Sequence, residues 1–395
     1  MNVRPDPSLV MIVAGVTGIV TSVTMIGPLL VDISRDLGVS LGQAGLLAAA
    51  AGVPQALFSP FSGLLSDRLG RKPLIVAAFV VVGLLSGAAA LAPSFAALVV
   101  VRFLAGLLGS LAPTSLMASV GDLFPPERRA RAMGWFNMGF SFAAIGGVPI
   151  MGAVGGTLGW RWAFVAIGLV MLALAGCVWR WFPRIAPTAT GTSVLATYRT
   201  VWGVPRLMSV LAANLLERSL FAMVVIFLPA FVMLSFHLSA AGVAPVLVVV
   251  AIGAIAGNVV GGRLGDRFSK PGIFVIAQVV SAGLGLTLFG AGLPFAPVVA
   301  LAILLTLCNS ASRPAFLAYS SELAPRQRGA LLGLIALTNQ GGFVIGSAVG
   351  AAAIGSGGYT GMALAALAQG VLAAGFALPL LRRPASARGL EDVSA

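Results

Sequence analysis

Charge is what this sequence has least of. Only 9% of its 395 residues are Asp, Glu, Lys or Arg, against about 25% in an ordinary soluble domain. It has one histidine and two cysteines. Cys177 and Cys308 both fall inside apolar runs, so no disulfide framework is implied. A membrane-embedded enzyme would need a nucleophile, a metal cluster or paired acids, and these few residues do not supply them. No metal site is expected. The phosphate-binding pattern G-x-x-x-x-G-K-[ST] is absent, which argues against ATP-driven work. The opening segment "MNVRPDPSLV" holds an acid and two prolines before an apolar run too long for a signal peptide, and is expected to be retained.

What fills the chain instead is hydrocarbon: 59% of the residues are hydrophobic. A helix crosses a bilayer with roughly 20 mostly apolar residues. Such runs fall at about residues 9–31, 43–65, 73–92, 95–119, 132–155, 161–182, 207–234, 240–261, 272–292, 295–318, 330–353 and 359–381. They are continuous, where a β-barrel would alternate apolar and polar residues. The expected fold is all-α and integral to the membrane, with twelve spans. The 50 glycines and 23 prolines lie largely within the runs, where they suit close packing and local bends. A formal net charge of +13 could suggest a nucleic-acid partner, but the placement of the bases points elsewhere. With the N-terminus in the cytoplasm, all but five of the 24 Lys and Arg lie in cytoplasmic segments. Arg35 and Arg161 fall outside, and Arg102, Arg218 and Arg313 lie within spans. This is the positive-inside bias, which places both termini in the cytoplasm. The expected partners are lipids and a small-molecule substrate, with the protein a monomer and no nucleic acid bound.

The longest polar break, 183–206, follows the sixth span and reads as a cytoplasmic linker. It divides an N-terminal bundle, 1–182, from a C-terminal bundle, 207–381, followed by a cytoplasmic tail at 382–395. The two bundles repeat each other. "GLLSDRLGRKP" at 63 aligns with "GRLGDRFSKP" at 262, so Asp67 and Arg68 answer to Asp266 and Arg267. "GDLFPPERRARAMG" from 121 aligns with "SELAPRQRGALLG" from 321, matching Asp122 to Glu322 and Arg128 to Arg328. Parallel six-helix repeats are an architecture of secondary transporters, with substrate bound near the midplane between halves.

These residues carry a resemblance. Gly63, Leu65, Asp67, Arg68, Gly70, Arg71 and Lys72 match the cytoplasmic loop motif G-x-L-x-D-R-x-G-R-K of the major facilitator superfamily. "RFLAGLLGS", with Arg102, Gly106 and Gly109, resembles its fourth-helix motif. In span 5, "GGVPIMGAVGG", containing Gly147, Pro149, Gly152, Gly155 and Gly156, is similar to the antiporter motif of the drug:proton antiporter branch. It departs from that motif in one respect, since Val148 separates Gly147 from Pro149 where the usual form has them adjacent. The resemblance covers essentially the whole chain. It implies that spans 1, 4, 7 and 10 line a central cavity, that Arg102 takes part in proton transfer, and that Asp67 approaches the segment holding Asp122, Arg128, Arg129 and Arg131.

Asp67 sits near a helix C-terminus, where the macrodipole disfavours an anion, so it needs cationic neighbours. A cluster of that kind, once per half, reads as a conformational latch. The plainer reading is that these charges only set topology.

Each charge within a span needs its own account, because it costs at least about 2.5–3.5 kcal/mol to insert. Glu217, in "NLLERSLFA", is the only acid well inside a span. Glu217 and its neighbour Arg218 point about 100° apart on a helix, so they are not expected to share one partner. Arg313 of span 10 is a plausible neighbour of Glu217. Glu217 reads as a proton-coupling acid, or equally as a permanent ion-pair member with Arg313 or Arg218. Arg102 has its own structural alternative, hydrogen bonding to backbone carbonyls of a neighbouring helix. Arg313 has no counterpart in the first half, where Pro113 stands.

Asp32 is read as a cap at the outer end of span 1, and His237 as an exposed loop residue. Asn137, Asn309, Asn339 and Gln340 are candidates for the pathway or for helix joining. Phe221, Phe227, Phe231 and Phe316 are candidate substrate contacts, with lipid-facing positions as the alternative. The expected activity is proton-coupled efflux of small amphipathic or lipophilic compounds by alternating access in a bacterial inner membrane. No cofactor is expected beyond the coupling proton. The rivals are uptake of an organic anion or sugar, and lipid or glycolipid flipping.

Overall fold

Each apolar run folds as helix, because in hydrocarbon every backbone N–H and C=O must find a partner within its own segment. The computed structural model describes residues 6–185, 202, 204, 206–323 and 328–381. Most of the linker expected at 183–206 and all of the tail at 382–395 lie outside the described residues.

The helices are α1 (Pro7–Thr24), α2 (Ile26–Asp36), α3 (Leu41–Leu69), α4 (Arg71–Ala90), α5 (Phe95–Gly109), α6 (Leu111–Leu123), α7 (Pro126–Phe142), α8 (Val148–Leu158) and α9 (Trp160–Trp181). They continue with α10 (Leu207–Ser235), α11 (Ala240–Gly265), α12 (Lys270–Gly290), α13 (Phe295–Leu323) and α14 (Arg328–Ala377). Eleven segments among the described residues are long and apolar enough to cross a membrane. The last of them runs from Gly333 to Leu381 and is interrupted at Gly358, whose φ of 57° and ψ of −143° are not helical. Glycine tolerates that backbone. The break falls between the runs at 330–353 and 359–381, as the twelve-span reading requires.

Proline explains where two spans break. A proline at position i cannot donate to the carbonyl at i−4. Pro28 leaves Thr24 without a donor and α1 ends at Thr24; Pro113 leaves Gly109 without one and α5 ends at Gly109. Span 5 handles the same problem differently. Pro149 follows a π turn over Ala143–Gly147, in which the Val148 N–H reaches back five residues to the Ala143 carbonyl. A π turn absorbs one extra residue in a helix, and Val148 is the residue by which this stretch departs from the antiporter motif.

The chain forms two compact units that interleave in sequence. Among the described residues, the first comprises 6–185, 222–252 and 343–361; the second comprises those of 202–221, 253–323, 328–342 and 362–381. Within the first, α4 packs along α9 and α3 against α5. The later segments of this unit seat on its first helices where side chains are small. A Cβ on Gly42 would lie 2.6 Å from the Ala351 carbonyl, and one on Gly156 would overlap the Ala241 backbone. The buried ring of Phe227 fills the space left by Gly45 and Gly350. Lipid tails are as apolar as the side chains, so van der Waals fit rather than water exclusion holds such contacts.

In the second unit α12 packs along α13. A cluster of Leu207, Val210, Phe274, Phe316, Leu331 and Ile335 forms its core, with the Phe274 and Phe316 rings 4.7 Å apart.

Candidate functional site

Three helices of the second unit bring amides and charges together. Asn214, Glu217, Arg218 and Phe221 lie at i, i+3, i+4 and i+7 along α10, so they share one face. Asn309 and Arg313 are four apart on α13, and Ile335, Thr338 and Asn339 occupy one face of α14. Gly342 lets α14 come close to α10, since a Cβ there would sit 2.6 Å from the Leu215 carbonyl.

Glu217 is the hub and is 1% exposed. Its carboxylate accepts from Arg218 through both Nε, at 2.6 Å, and Nη2. It also accepts from Arg313 Nη1 at 3.3 Å. Arg313 Nη1 further donates to Asn214 Oδ1 at 3.1 Å, and its Nη2 donates to Asn339 Oδ1 at 3.2 Å. Asn214 Nδ2 donates to Thr338 Oγ1 at 2.8 Å and Asn339 Oδ1 at 2.9 Å, closing the network onto α14. Arg218 lies over the Phe221 ring, 4.5 Å from its centroid, and its Nη2 is 3.5 Å from Asn309 Oδ1. Sharing one carboxylate between two guanidiniums leaves the cluster with one excess positive charge.

Helix directions alone set Glu217 and Arg218 pointing apart. The backbone directions do diverge, yet the Arg218 side chain is long enough to fold back onto its neighbour's carboxylate, so Glu217 pairs with both of the arginines offered for it. Asn214 is absent from the sequence-derived candidates, although its position one turn before Glu217 on the same face signals it.

Of the other candidates for this site, Phe221 and Asn339 join it directly and Asn309 touches it. Phe227 packs against Gly45 and Gly350 in the first unit, where Phe231 meets Tyr359 edge to face at 4.8 Å. Phe316 lies in the core of the second unit, Gln340 is half-buried on α14, and Asn137 is exposed on α7. Within the second unit Phe316 lies one turn beyond Arg313 along α13, packed in the core, and Gln340 makes no hydrogen bond to the cluster among the described residues; Phe227, Phe231 and Asn137 belong to the first unit.

Arg102 belongs to a different structure. It is buried on α5 and donates to the carbonyls of Ser22 at 2.8 Å and Val23 at 3.3 Å. These carbonyls belong to the last turn of α1, just before the carbonyl that Pro28 strands, so Arg102 caps this helix end. It lines a cavity of about 20 Å³ with Ser22, Gln55 and Ser86, enough for one water.

At the repeated loops, the two halves carry corresponding ion pairs. Arg71, at the start of α4, donates from Nε to Asp122 Oδ2 at 3.0 Å and from Nη1 to Ser66 Oγ at 2.8 Å. Lys270, at the start of α12, pairs with Glu322. Lys72 Nζ donates to the Phe182 carbonyl at 2.6 Å. Gly70, with φ 89°, forms the turn between α3 and α4. Arg68, Arg128, Asp266 and Arg267 are exposed and have no ion-pair partner among the described residues. The side-chain placements of Gly63, Asp67 and Arg328 lie outside the described residues.

The span 5 glycines mark close approaches. A Cβ on Gly147 would overlap Thr21, and one on Gly155 would overlap Leu29. A Cβ on Gly152 would come within 3.1 Å of Pro28. Pro149 itself is buried.

Asp32 does not end its span as expected, because α2 runs on to Asp36. Asp36 accepts from Trp160 Nε1 at 3.1 Å and pairs with Arg161. His237 is exposed in a turn with φ 54°.

A family model described as Major Facilitator Superfamily matches residues 12–239 and 210–393. The chain belongs to the major facilitator superfamily. This superfamily member is a multi-pass membrane transport protein. It is similar to the uncharacterized MFS-type transporter YceJ of Bacillus subtilis, with 26% identity over 355 residues covering 83% of this chain and 84% of that one. It is 29% identical to a chloramphenicol resistance protein of Streptomyces lividans over 285 residues, 71% of each chain. The fold matches that of a bacterial homolog to the human lysosomal transporter Spinster in its inward-facing and occupied conformation. The TM-score is 0.80 at 17% identity, over 96% of this chain and 98% of that one.

Proposed function

We propose that this protein is a proton-coupled secondary transporter working by alternating access between two six-helix halves, with Glu217 carrying the proton. One observation carries the reading: Glu217 is the only buried acid among the described residues, and it is held by two arginines rather than one. A carboxylate so placed has a defined partner for its charged form, and losing its proton re-forms those bonds.

The antiporter-like span 5 and the relative named for chloramphenicol resistance support export of small amphipathic or lipophilic compounds from a bacterial inner membrane, with both chain termini cytoplasmic. In that cycle Glu217 takes a proton from outside, favours the inward-facing state, and releases the proton as substrate enters from the cytoplasm. Co-transport of an organic anion with the proton is the second reading, favoured by the excess guanidinium charge at Glu217. Proteoliposomes with an imposed pH gradient separate the two. Exchange drives substrate opposite to the proton flow, and co-transport drives it along with that flow. Substrate movement indifferent to the gradient would defeat both.

The loop ion pairs act as latches in this cycle. The Arg71 and Asp122 side chains keep 10% and 28% of their surface exposed, against 30% and 60% for Lys270 and Glu322, so the first pair is the better shielded. Exposed pairs contribute about 0–1 kcal/mol. Asp122→Asn is therefore expected to slow transport several-fold at unchanged expression, and Glu322→Gln to slow it much less. Flux measurements showing equal effects would reject the latch.

A further inference from the structure

The Glu217 cluster holds more donors than its own acceptors can use. Arg218 Nη1 and Arg313 Nε have no hydrogen-bond partner among the described residues. The Arg218 and Arg313 side chains keep 15% and 19% of their surface exposed, while Glu217 behind them keeps 1%. The third donor is an amide. Asn309 is fully buried and its Nδ2 has no partner among the described residues, although Oδ1 of the same group faces Arg218. A buried amide donor left without an acceptor is uncommon in folded proteins. Three unpartnered donors in one cluster, two of them on planar guanidiniums, are the chemistry that binds the oxygens of a carboxylate.

We infer that Arg218, Arg313 and Asn309 form a binding site for an organic anion bearing a carboxylate, which displaces Glu217 from the two arginines. The inference rests on the second of the two readings, co-transport of an organic anion with a proton carried by Glu217, in place of the exchange cycle, and names the groups that bind the anion. The charges balance. Empty, the cluster holds two cations and one carboxylate. Loaded, the substrate carboxylate replaces that of Glu217 on the guanidiniums, and Glu217, still buried and now without a cation, takes one proton from water. Both states carry the same net charge, so neither pays an extra electrostatic cost for crossing the bilayer. Anion bound without the proton, or proton without the anion, changes that charge by one. Substrate and proton therefore travel together. Glu217 is faced by Arg218 on its own helix and by Arg313 from α13. Among the described residues no other titratable side chain contacts it. Phe221, against Arg218, offers an aromatic face for the apolar part of the substrate.

Thermal unfolding of the purified full-length protein in detergent tests the site, using benzoate, octanoate and glucuronate as probes and benzamide, octanol and glucose as their uncharged counterparts. At least one acid is expected to raise the unfolding midpoint in a saturable manner while its counterpart does not. Arg218→Gln is expected to abolish the effect. Glu217→Gln removes the internal competitor and is expected to bind the same acid at least about tenfold more tightly. A structural ion pair predicts the opposite, weaker binding or none. No acid outperforming its counterpart, or weaker binding by Glu217→Gln, overturns the inference. Proton uptake on binding, followed with a pH dye in weak buffer, separates it from the reading beneath. About one proton per site is expected in the wild type and none in Glu217→Gln. Saturable acid binding without proton uptake would leave the anion site standing and remove Glu217 as the proton carrier. No acid binding, together with pH-driven transport that Glu217→Gln abolishes, would do the reverse.

Discussion

Glu217→Gln is expected to reduce pH-gradient-driven, uphill accumulation in proteoliposomes to the level of protein-free vesicles, while substrate counterflow continues. The two readouts differ in what they need. Counterflow needs only a substrate site that can face either side, and the amide keeps the shape of the carboxylate. Uphill movement needs a group that takes and gives up a proton within the cycle. The substituted amide would leave Arg218 and Arg313 without their shared anion, and breaking a buried pair commonly costs about 3–5 kcal/mol. Here the arginines retain some exposure and Asn214 and Asn339 still brace Arg313, so a folded protein is expected. Persisting counterflow would show that the variant is folded. A variant that still concentrates substrate against its gradient would end the coupling role.

The second large effect is on packing. A Cβ on Gly106 of α5 would overlap the Ala51 carbonyl of α3, and one on Gly261 of α11 would overlap the Ala311 carbonyl of α13. The same pair of spans in each half, the second and fourth, therefore meets backbone to backbone, with the glycine on opposite partners. Backbone cannot step aside as a flexible side chain does. Gly106→Ala and Gly261→Ala are each expected to cost about 1–3 kcal/mol through overpacking. Gly87 and Gly283, whose added Cβ would meet nothing within 4 Å, serve as controls. Alanine at those helical positions should be neutral or stabilising by about 0.5–1 kcal/mol. Unfolding midpoints in detergent would check the contrast, and similar midpoints for all four variants would refute it.

Hydropathy made the helices legible because membrane insertion depends on average composition over a long window. Even the division of the last apolar stretch at Gly358 could be placed from the two runs around it. The bends were less visible. The breaks before Pro28 and Pro113 follow from proline chemistry once the helix register is known, but the π turn at Ala143–Gly147 needed the fold. At the site, Glu217 and Arg313 were readable because charge in hydrocarbon is costly and must be explained. The aromatics were not. Phe227, Phe231 and Phe316 have the same composition signal as a cavity-lining ring, and only packing assigns them to helix contacts. Arg102 illustrates the same limit: an intramembrane arginine announces that it has a partner, but not whether that partner is a proton path or two carbonyls at a helix end.

The interleaving of the two compact units bears on how the chain is made. The first unit takes its final segment from residues 343–361. While the ribosome is still producing earlier helices, the glycine-lined faces around Gly42, Gly45 and Gly156 have no occupant but lipid. Insertion of the early spans therefore precedes their final packing: Gly45 and Gly156 wait for Phe227 and Ala241, and Gly42 waits for Ala351, most of the polypeptide later.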